Sequence, residues 1–280
     1  MRRKTAYFWL CSFSLLCLSI LSYYEAGLNA TNIQFVTVEP IETNSFELPQ
    51  NTISIGMWNL QIFGVKKGSN KLLVEKYVDV IIQHDIFVIQ EIRDKSGQSY
   101  ESLCDNLRNY SYVCLNSSRS GRSSSKEQYG VIFKNTFAVK NITDYNLHYA
   151  EEFERPPFEV TFETNTTRLT LITIHTKPTD VNLEMAQLDN LFKDRNQTII
   201  IGDLNADCSY YKTGNHFASW LWIINNDVDT TLGKSDCAYD RILFSPDLTD
   251  SFGEMYGITT QDINSNLSDH YPIWVAFTYK

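Results

Sequence analysis

The run Thr198-Ile199-Ile200-Ile201 breaks at Gly202 into Asp203-Leu204-Asn205-Ala206-Asp207, and few folds accept that junction. Consecutive β-branched residues pack as a strand buried on both faces. Carboxylates at its end repel one another there unless a cation or hydrogen-bond donors offset them. The segment reads either as an Asx-rich turn, which Asp and Asn favour locally, or as a buried strand that carries chemistry at its tip. By itself it does not decide between the two.

The same ending recurs along the chain. Trp58-Asn59, Ile89-Gln90-Glu91, Ile174-His175, Tyr239-Asp240 and Ser268-Asp269-His270 each set an acid, amide or imidazole at the edge of an apolar run. Six such tips on one rim would form a site for a divalent cation and a phosphodiester. Carboxylate and amide oxygens suit magnesium, manganese or calcium rather than zinc.

Between these tips the pattern alternates. Ile53 to Trp58 reads as a strand, Leu72, Leu73, Tyr77, Val80 and Ile81 recur at helical spacing, and Ile86 to Ile89 is apolar throughout, as expected for a strand covered on both faces. A short helix is expected over 100–107 and another around Glu184, Leu188 and Leu191. Strands are expected at 130–133, 137–139, 158–162, 169–174, 198–201, 239–244 and 271–277. Closely spaced hairpins with interspersed helices point to an α+β fold, two sheets face to face with helices outside.

The first residues, Met1-Arg2-Arg3-Lys4 followed by an apolar stretch from Ala6 to Leu21, have the charged and apolar regions of an export signal. The stretch is also close to the length of a membrane span, so residues 1–27 read as an export signal or a membrane anchor. Residues 28–51, polar and holding Pro40 and Pro49, read as a linker to a domain over 52–280. Both readings put that domain outside the cytosol, secreted or on the outer surface. Seven Asn-x-Ser/Thr acceptors, at Asn29, Asn109, Asn116, Asn141, Asn165, Asn196 and Asn266, agree with a glycosylated exported chain. Beyond Cys11 and Cys17 of the leader, four cysteines remain, Cys104, Cys114, Cys208 and Cys237. Two disulfides are expected with three connectivities open; Cys208 with Cys237 and Cys104 with Cys114 is the favoured set.

The formal charge is −9, and loss of residues 1–26, with three positive charges and one negative, makes it −11. That argues against tight, nonspecific nucleic-acid binding by bulk charge. It leaves room for an enzyme that grips phosphates with a few placed cations.

Six ordered blocks carry a specific resemblance: Trp58 to Gly64, Asp85 to Asp94, Ser125 to Tyr129, Gly202 to Tyr210, Cys237 to Ile242, and Ser268 to Pro272. Together they resemble the deoxyribonuclease I family of the endonuclease/exonuclease/phosphatase superfamily over about residues 53–278. The resemblance implies a four-layer α/β/β/α sandwich of two mostly antiparallel sheets. It implies that Asn59, Glu91 and Asp269 bind the catalytic magnesium or manganese, with Asp203 and Asn205 at a second metal or the scissile phosphate. His175 and His270 would move protons, oriented by Glu127 and Asp240. Arg93, Arg122, Lys126 and Arg155 would contact DNA.

The family's bridge falls on Cys208 and Cys237, which assigns Asp207 to the bridged loop, whereas Cys104 and Cys114 have no family counterpart. Asp229 and Thr231 match one structural calcium loop. Gly233 and Ser235 depart from that loop, Pro156 replaces an acid of another, and Ser125 stands where the family has a minor-groove tyrosine. The implied activity is secreted, metal-dependent cleavage of DNA with little sequence preference, by a monomer without a stable protein partner. Two other readings compete. One is a superfamily phosphodiesterase or phosphatase acting on phospholipid or inositol phosphate; the other is a non-catalytic surface glycoprotein.

Overall fold

A computed structural model describes residues 52–122, 125–163, 168–212 and 214–278. The expected leader, the linker over 28–51, and the acceptors Asn29 and Asn165 lie outside these residues. Among the described residues no helix is long and apolar enough to cross a membrane.

The chain opens with β1 (Thr52–Phe63), a short α1 (Val65–Gly68), α2 (Lys71–Ile81), β2 (Ile86–Ile92), α3 (Gln98–Arg108), β3 (Tyr112–Asn116), β4 (Gln128–Lys134) and β5 (Ala138–Asp144). It continues with β6 (Phe158–Glu163), β7 (Arg168–Thr173), α4 (Val181–Phe192), β8 (Thr198–Asp203), β9 (Leu221–Trp222), β10 (Asp240–Phe244), β11 (Phe252–Ile258) and β12 (Ile273–Thr278). The strands form two six-stranded sheets, ordered β11-β12-β1-β2-β4-β3 and β5-β6-β7-β8-β10-β9. Only β1 with β2 and β7 with β8 run parallel; every other pairing is antiparallel.

The strand period of two sorts side chains into layers. Ile53, Ile55, Met57 and Val88 of the first sheet meet Val160, Leu171, Ile199, Ile201 and Ile242 of the second in the core between the sheets. The alternate residues Trp58, Phe87 and Ile89 face outward with Tyr77, Val78 and Leu103 of α2 and α3. On the opposite face Ile172, Ile200 and Leu243 pack with Met185 and Leu188 of α4. The result is the expected α/β/β/α sandwich, and its central strands are apolar on both sides because each face meets a layer. β3, β9 and β11 were not expected. All three are sheet edges; β3 and β9 are short, and β11 holds two glycines and a bulge between Phe252 and Met255, which break its apolar period.

The topology gathers the polar tips at one rim. Parallel β1, β2, β7 and β8 end there at Asn59, Glu91, His175 and Asp203, while antiparallel β4, β10 and β12 begin there beside Glu127, Asp240 and His270. One buried amide joins the sheets at this rim. Gln90 donates from Nε2 to Thr173 Oγ1 and Ile174 O, both at 3.0 Å, and its Oε1 accepts from Asp203 N at 3.0 Å. The approach leaves no space at Gly202, where an added Cβ would lie 2.0 Å from Ile174 O and 2.7 Å from Gln90 Nε2. Gly202→Ala is therefore expected to destabilise the domain by about 3 kcal/mol or more, since the obstacle is backbone and overpacking of this kind has no rotamer escape; urea denaturation with a near-normal midpoint would contradict the clamp.

Candidate active site

Two acid–imidazole pairs face one carboxylate. His175 Nδ1 lies 2.8 Å from Glu127 Oε1, and His270 Nδ1 lies 2.7 Å from Asp240 Oδ2. Their Nε2 atoms lie 3.4 and 3.6 Å from the same Asp203 Oδ2. An imidazole whose Nδ1–H is held by an acid has a fixed tautomer, which leaves Nε2 as the atom that exchanges protons. Glu127, Asp203 and Asp240 are buried, and the histidines are nearly so, so their geometry is set by the sheets rather than by solvent.

Asn59 sits between the acids. Its Nδ2 approaches Asp203 Oδ2 at 3.1 Å and Glu91 Oε1 at 3.3 Å. The end of β1 bulges between Asn59 and Phe63, where Gln61 and Ile62 take positive φ of 44° and 59°. A left-handed backbone at Ile62 is strained because of its branched Cβ. The strain has a use: Gln61 N donates to Asn59 Oδ1 at 3.0 Å and Ile62 N to Glu91 Oε2 at 2.9 Å. Glu91 and Asn205 also have positive φ, 60° and 47°. Asn205 N donates to Asp203 Oδ1 and its Nδ2 to Thr176 O, each at 3.1 Å. Asp269 is half-exposed, 3.8 Å from His270 Nε2.

The carboxylate oxygens of Glu91 and Asp203 suit a hard divalent cation, and Asn59 presents its Nδ2 to both. Glu91, Glu127 and His175, and separately Asp203, Asp240 and His270, also bring their donor atoms close enough for an ion. In those two groups, however, each imidazole Nδ1 is already engaged by its acid.

The basic residues divide into two kinds. Arg155 has only 11% of its side chain exposed and is committed inward, with Nε on Glu127 Oε1 and His175 O, both at 2.8 Å, and Nη2 on Thr176 O at 2.8 Å. Arg93 bridges Glu127 and Glu91 and donates to Ser125 Oγ at 2.8 Å. Arg122 and Lys126 are exposed. Arg93, Arg122, Ser125, Glu154, Arg155 and Lys177 line a cavity of about 400 Å³ beside Glu127.

Asp207 lies off the site, accepting from Ala238 N at 2.8 Å within the loop closed by the Cys208–Cys237 bridge. Cys104 and Cys114 form the second bridge. In the expected calcium loop Asp229 Oδ1 already takes Thr231 N at 3.1 Å, Thr231 Oγ1 at 3.2 Å and Cys237 N at 3.2 Å. That loop holds the site instead: Leu232 N donates to Asp269 O and Tyr271 N to Thr230 O, each at 2.8 Å.

Sequence reasoning missed Thr230, whose buried hydroxyl accepts from Tyr239 N and Asp240 N. It also missed Thr176, which donates to Leu204 O at 2.6 Å. A lone threonine carries no signal of such a role until its neighbours are known.

Burial works against charge on Glu127, but His175, Arg155 and Arg93 outweigh it and hold the carboxyl at about 2, below its ordinary 4.5. For His270, burial lowers the imidazole while Asp240 and Asp203 more than offset it, raising it to about 10. A depressed carboxyl contributes stability that is whole above pH 4.5 and is lost as pH falls through about 2. For the raised imidazole the sign reverses: its contribution is whole below 6.5 and fades as pH rises through about 10. Glu127→Gln should therefore melt below wild type at pH 6, with the gap closing between pH 4.5 and 2. A gap independent of pH in thermal melts would show that Glu127 is not ionised in the fold.

Residues 58–270 match the model of the Endonuclease/Exonuclease/phosphatase family. Deoxyribonuclease-1 of Gallus gallus is 30% identical over 260 residues, covering 80% of this chain and 92% of its own. That of Bos taurus is 30% identical over 265 residues, covering 81% and 93%. Among solved structures, an endonuclease/exonuclease/phosphatase family protein from Leptotrichia buccalis superposes with a TM-score of 0.60 at 16% identity, covering 81% of this chain and all of its own. D. rerio TDP2, complexed with a single-strand DNA product, gives 0.55 at 15% identity, over 81% and 99%. With the family model spanning most of the chain and these relatives matching nearly end to end, the protein belongs to the endonuclease/exonuclease/phosphatase family, on its deoxyribonuclease-1-like side.

Proposed function

We infer that this protein is an exported, metal-dependent endonuclease that hydrolyses DNA phosphodiester bonds with little sequence preference. The observation that carries the reading is the convergence of two acid-held imidazoles on Asp203. Hydrolysis of a phosphodiester needs a proton taken from water and a proton given to the leaving oxygen, and two Nε2 atoms across one carboxylate can supply both. Asn59, Glu91, Asp269 and Asp203 would hold magnesium or manganese, which when bound offsets charge on the phosphoryl oxygens. Asn205 and Asp203 would face the scissile phosphate. Structural calcium at Asp229 and Thr231 is a weaker part of the reading, because the Asp229 oxygen already accepts three hydrogen bonds.

The structure changes how the basic residues are read. Arg122 and Lys126 would contact phosphates from the surface, with Arg93 at the cleft wall. Arg155 would act mainly by holding Glu127 and the His175 turn. The bridges Cys104–Cys114 and Cys208–Cys237 support export, whether residues 1–27 are removed or retained as an anchor.

Supercoiled plasmid incubated with purified protein and magnesium should be nicked. Failure to nick, with phosphate released from a phosphoinositide instead, would overturn the DNA reading in favour of a lipid phosphatase. His175→Ala and His270→Ala should each cut the rate by about 100- to 10,000-fold, and near-normal rates in both would refute the proton-transfer assignment. Arg122→Ala and Lys126→Ala should each weaken DNA binding and lower the slope of log affinity against log salt by about one. Arg155→Ala should instead lower kcat; a change confined to KM would return Arg155 to the DNA contacts.

A further inference from the structure

Lys67 is a half-buried cation that the chemistry above does not use. It lies on α1, and its Nζ donates to Leu60 O at 2.7 Å, Gln61 O at 2.6 Å and Leu267 O at 2.8 Å. An ammonium has three protons, and all three are spent on main-chain carbonyls. Burial lowers its basicity while Asp269 and Glu91 act against that, which places the cation within the field of both acids.

The carbonyls belong to the two walls of the site. Leu60 and Gln61 form the β1 bulge whose amides, at Gln61 and Ile62, hold Asn59 Oδ1 and Glu91 Oε2. Leu267 precedes the Ser268-Asp269-His270 turn, and its carbonyl also accepts from Tyr77 OH at 2.8 Å. The bulge is strained at Gln61 and Ile62, so it keeps its shape only while its carbonyls and amides are both engaged. Lys67 engages the carbonyls; Asn59 and Glu91 engage the amides.

We propose that Lys67 is a positioning residue for the divalent-cation site, its ammonium tying the β1 bulge that orients Asn59 and Glu91 to the turn that carries Asp269. The proposal rests on the metal-dependent reading of that site. It makes a prediction opposite in sign to simple electrostatics. Removing a positive charge near acids should tighten cation binding through Coulomb's law alone. Releasing the bulge should loosen it, and supports around a metal site are commonly worth about 10- to 100-fold in affinity.

The test measures manganese binding to the full protein by isothermal titration calorimetry without DNA, alongside the magnesium dependence of plasmid nicking. Lys67→Met is expected to weaken manganese binding by about 10- to 100-fold and to raise the magnesium needed for half-maximal nicking by a similar factor, with KM for plasmid near the wild-type value. Tyr77→Phe, which removes the second donor to Leu267 O without changing charge, is expected to weaken it in the same direction by a smaller factor. It carries the test should Lys67→Met fail to fold by circular dichroism. Tighter or unchanged manganese binding in a folded Lys67→Met, or unchanged binding in Tyr77→Phe when that variant stands alone, overturns the proposal. A wild type that binds manganese and nicks plasmid while the variants behave like it defeats only the role of Lys67. A wild type that does neither defeats the reading of the site, and this proposal with it.

Discussion

The buried amide of Gln90 is the contact on which the site depends. The core between the sheets is aliphatic, and aliphatic packing is non-directional: it holds the sheets together and leaves their offset poorly defined. Gln90 supplies direction, reaching from β2 to the ends of β7 and β8 with three hydrogen bonds. Left unpaired, a buried amide costs a few kcal/mol, so a sliding of the sheets that broke these bonds would be opposed. Glu91 is the next residue after Gln90, and Asp203 supplies the amide that Gln90 accepts from. Gln90 thus ties the backbone of the two sheets beside these acids, and Asn59 Nδ2 links Glu91 and Asp203 directly.

Around this clamp the rim is built in left-handed turns. Gln61, Ile62, Glu91 and Asn205 all take positive φ, a conformation that costs of order 1–3 kcal/mol for residues with a Cβ. Each lies at a strand end where an amide or carboxylate must be turned back toward its neighbours. The strain is balanced locally, by Lys67 at the carbonyls of the β1 bulge and by Thr176 and Asp203 around Asn205. Left-handed residues also occur away from the rim, at Ser111, Gln197, Phe217, Glu254 and Asp262 among others; those at the rim are the ones whose amides and carbonyls orient the acids of the site.

Much of this was legible in the order of residues. Central strands showed as unbroken apolar runs because both of their faces are covered, and Ile86 to Ile89 and Thr198 to Ile201 are buried as expected. The edge strands β3, β9 and β11 were not legible: β3 and β9 are too short to show a period, and β11 is broken by two glycines and a bulge. Glu91, Asp203, His175 and His270 stood out because polar groups at the ends of apolar runs are conspicuous, and the family resemblance supplied their partners. Lys67, Thr176 and Thr230 did not stand out: a lysine beside another lysine, and threonines in loops, are ordinary until the backbone groups they meet are brought to them. Arg155 was expected among the DNA contacts from the family resemblance, and its inward bonds to Glu127 and the His175 turn show only in the structure.

The sequence by itself determined the alternation of layers, the polar chemistry of the strand ends and the supply of cysteines for bridging, because these rest on period and residue type, which are local. The resemblance paired Glu127 and Asp240 with His175 and His270; only the tertiary structure decided that both rings turn to the one Asp203 oxygen and that Gln90 ties the two sheets beside them. Those contacts join residues 28 to more than 100 positions apart. Their geometry depends on how two sheets settle over a shared core, a property of the packed whole that no single segment carries.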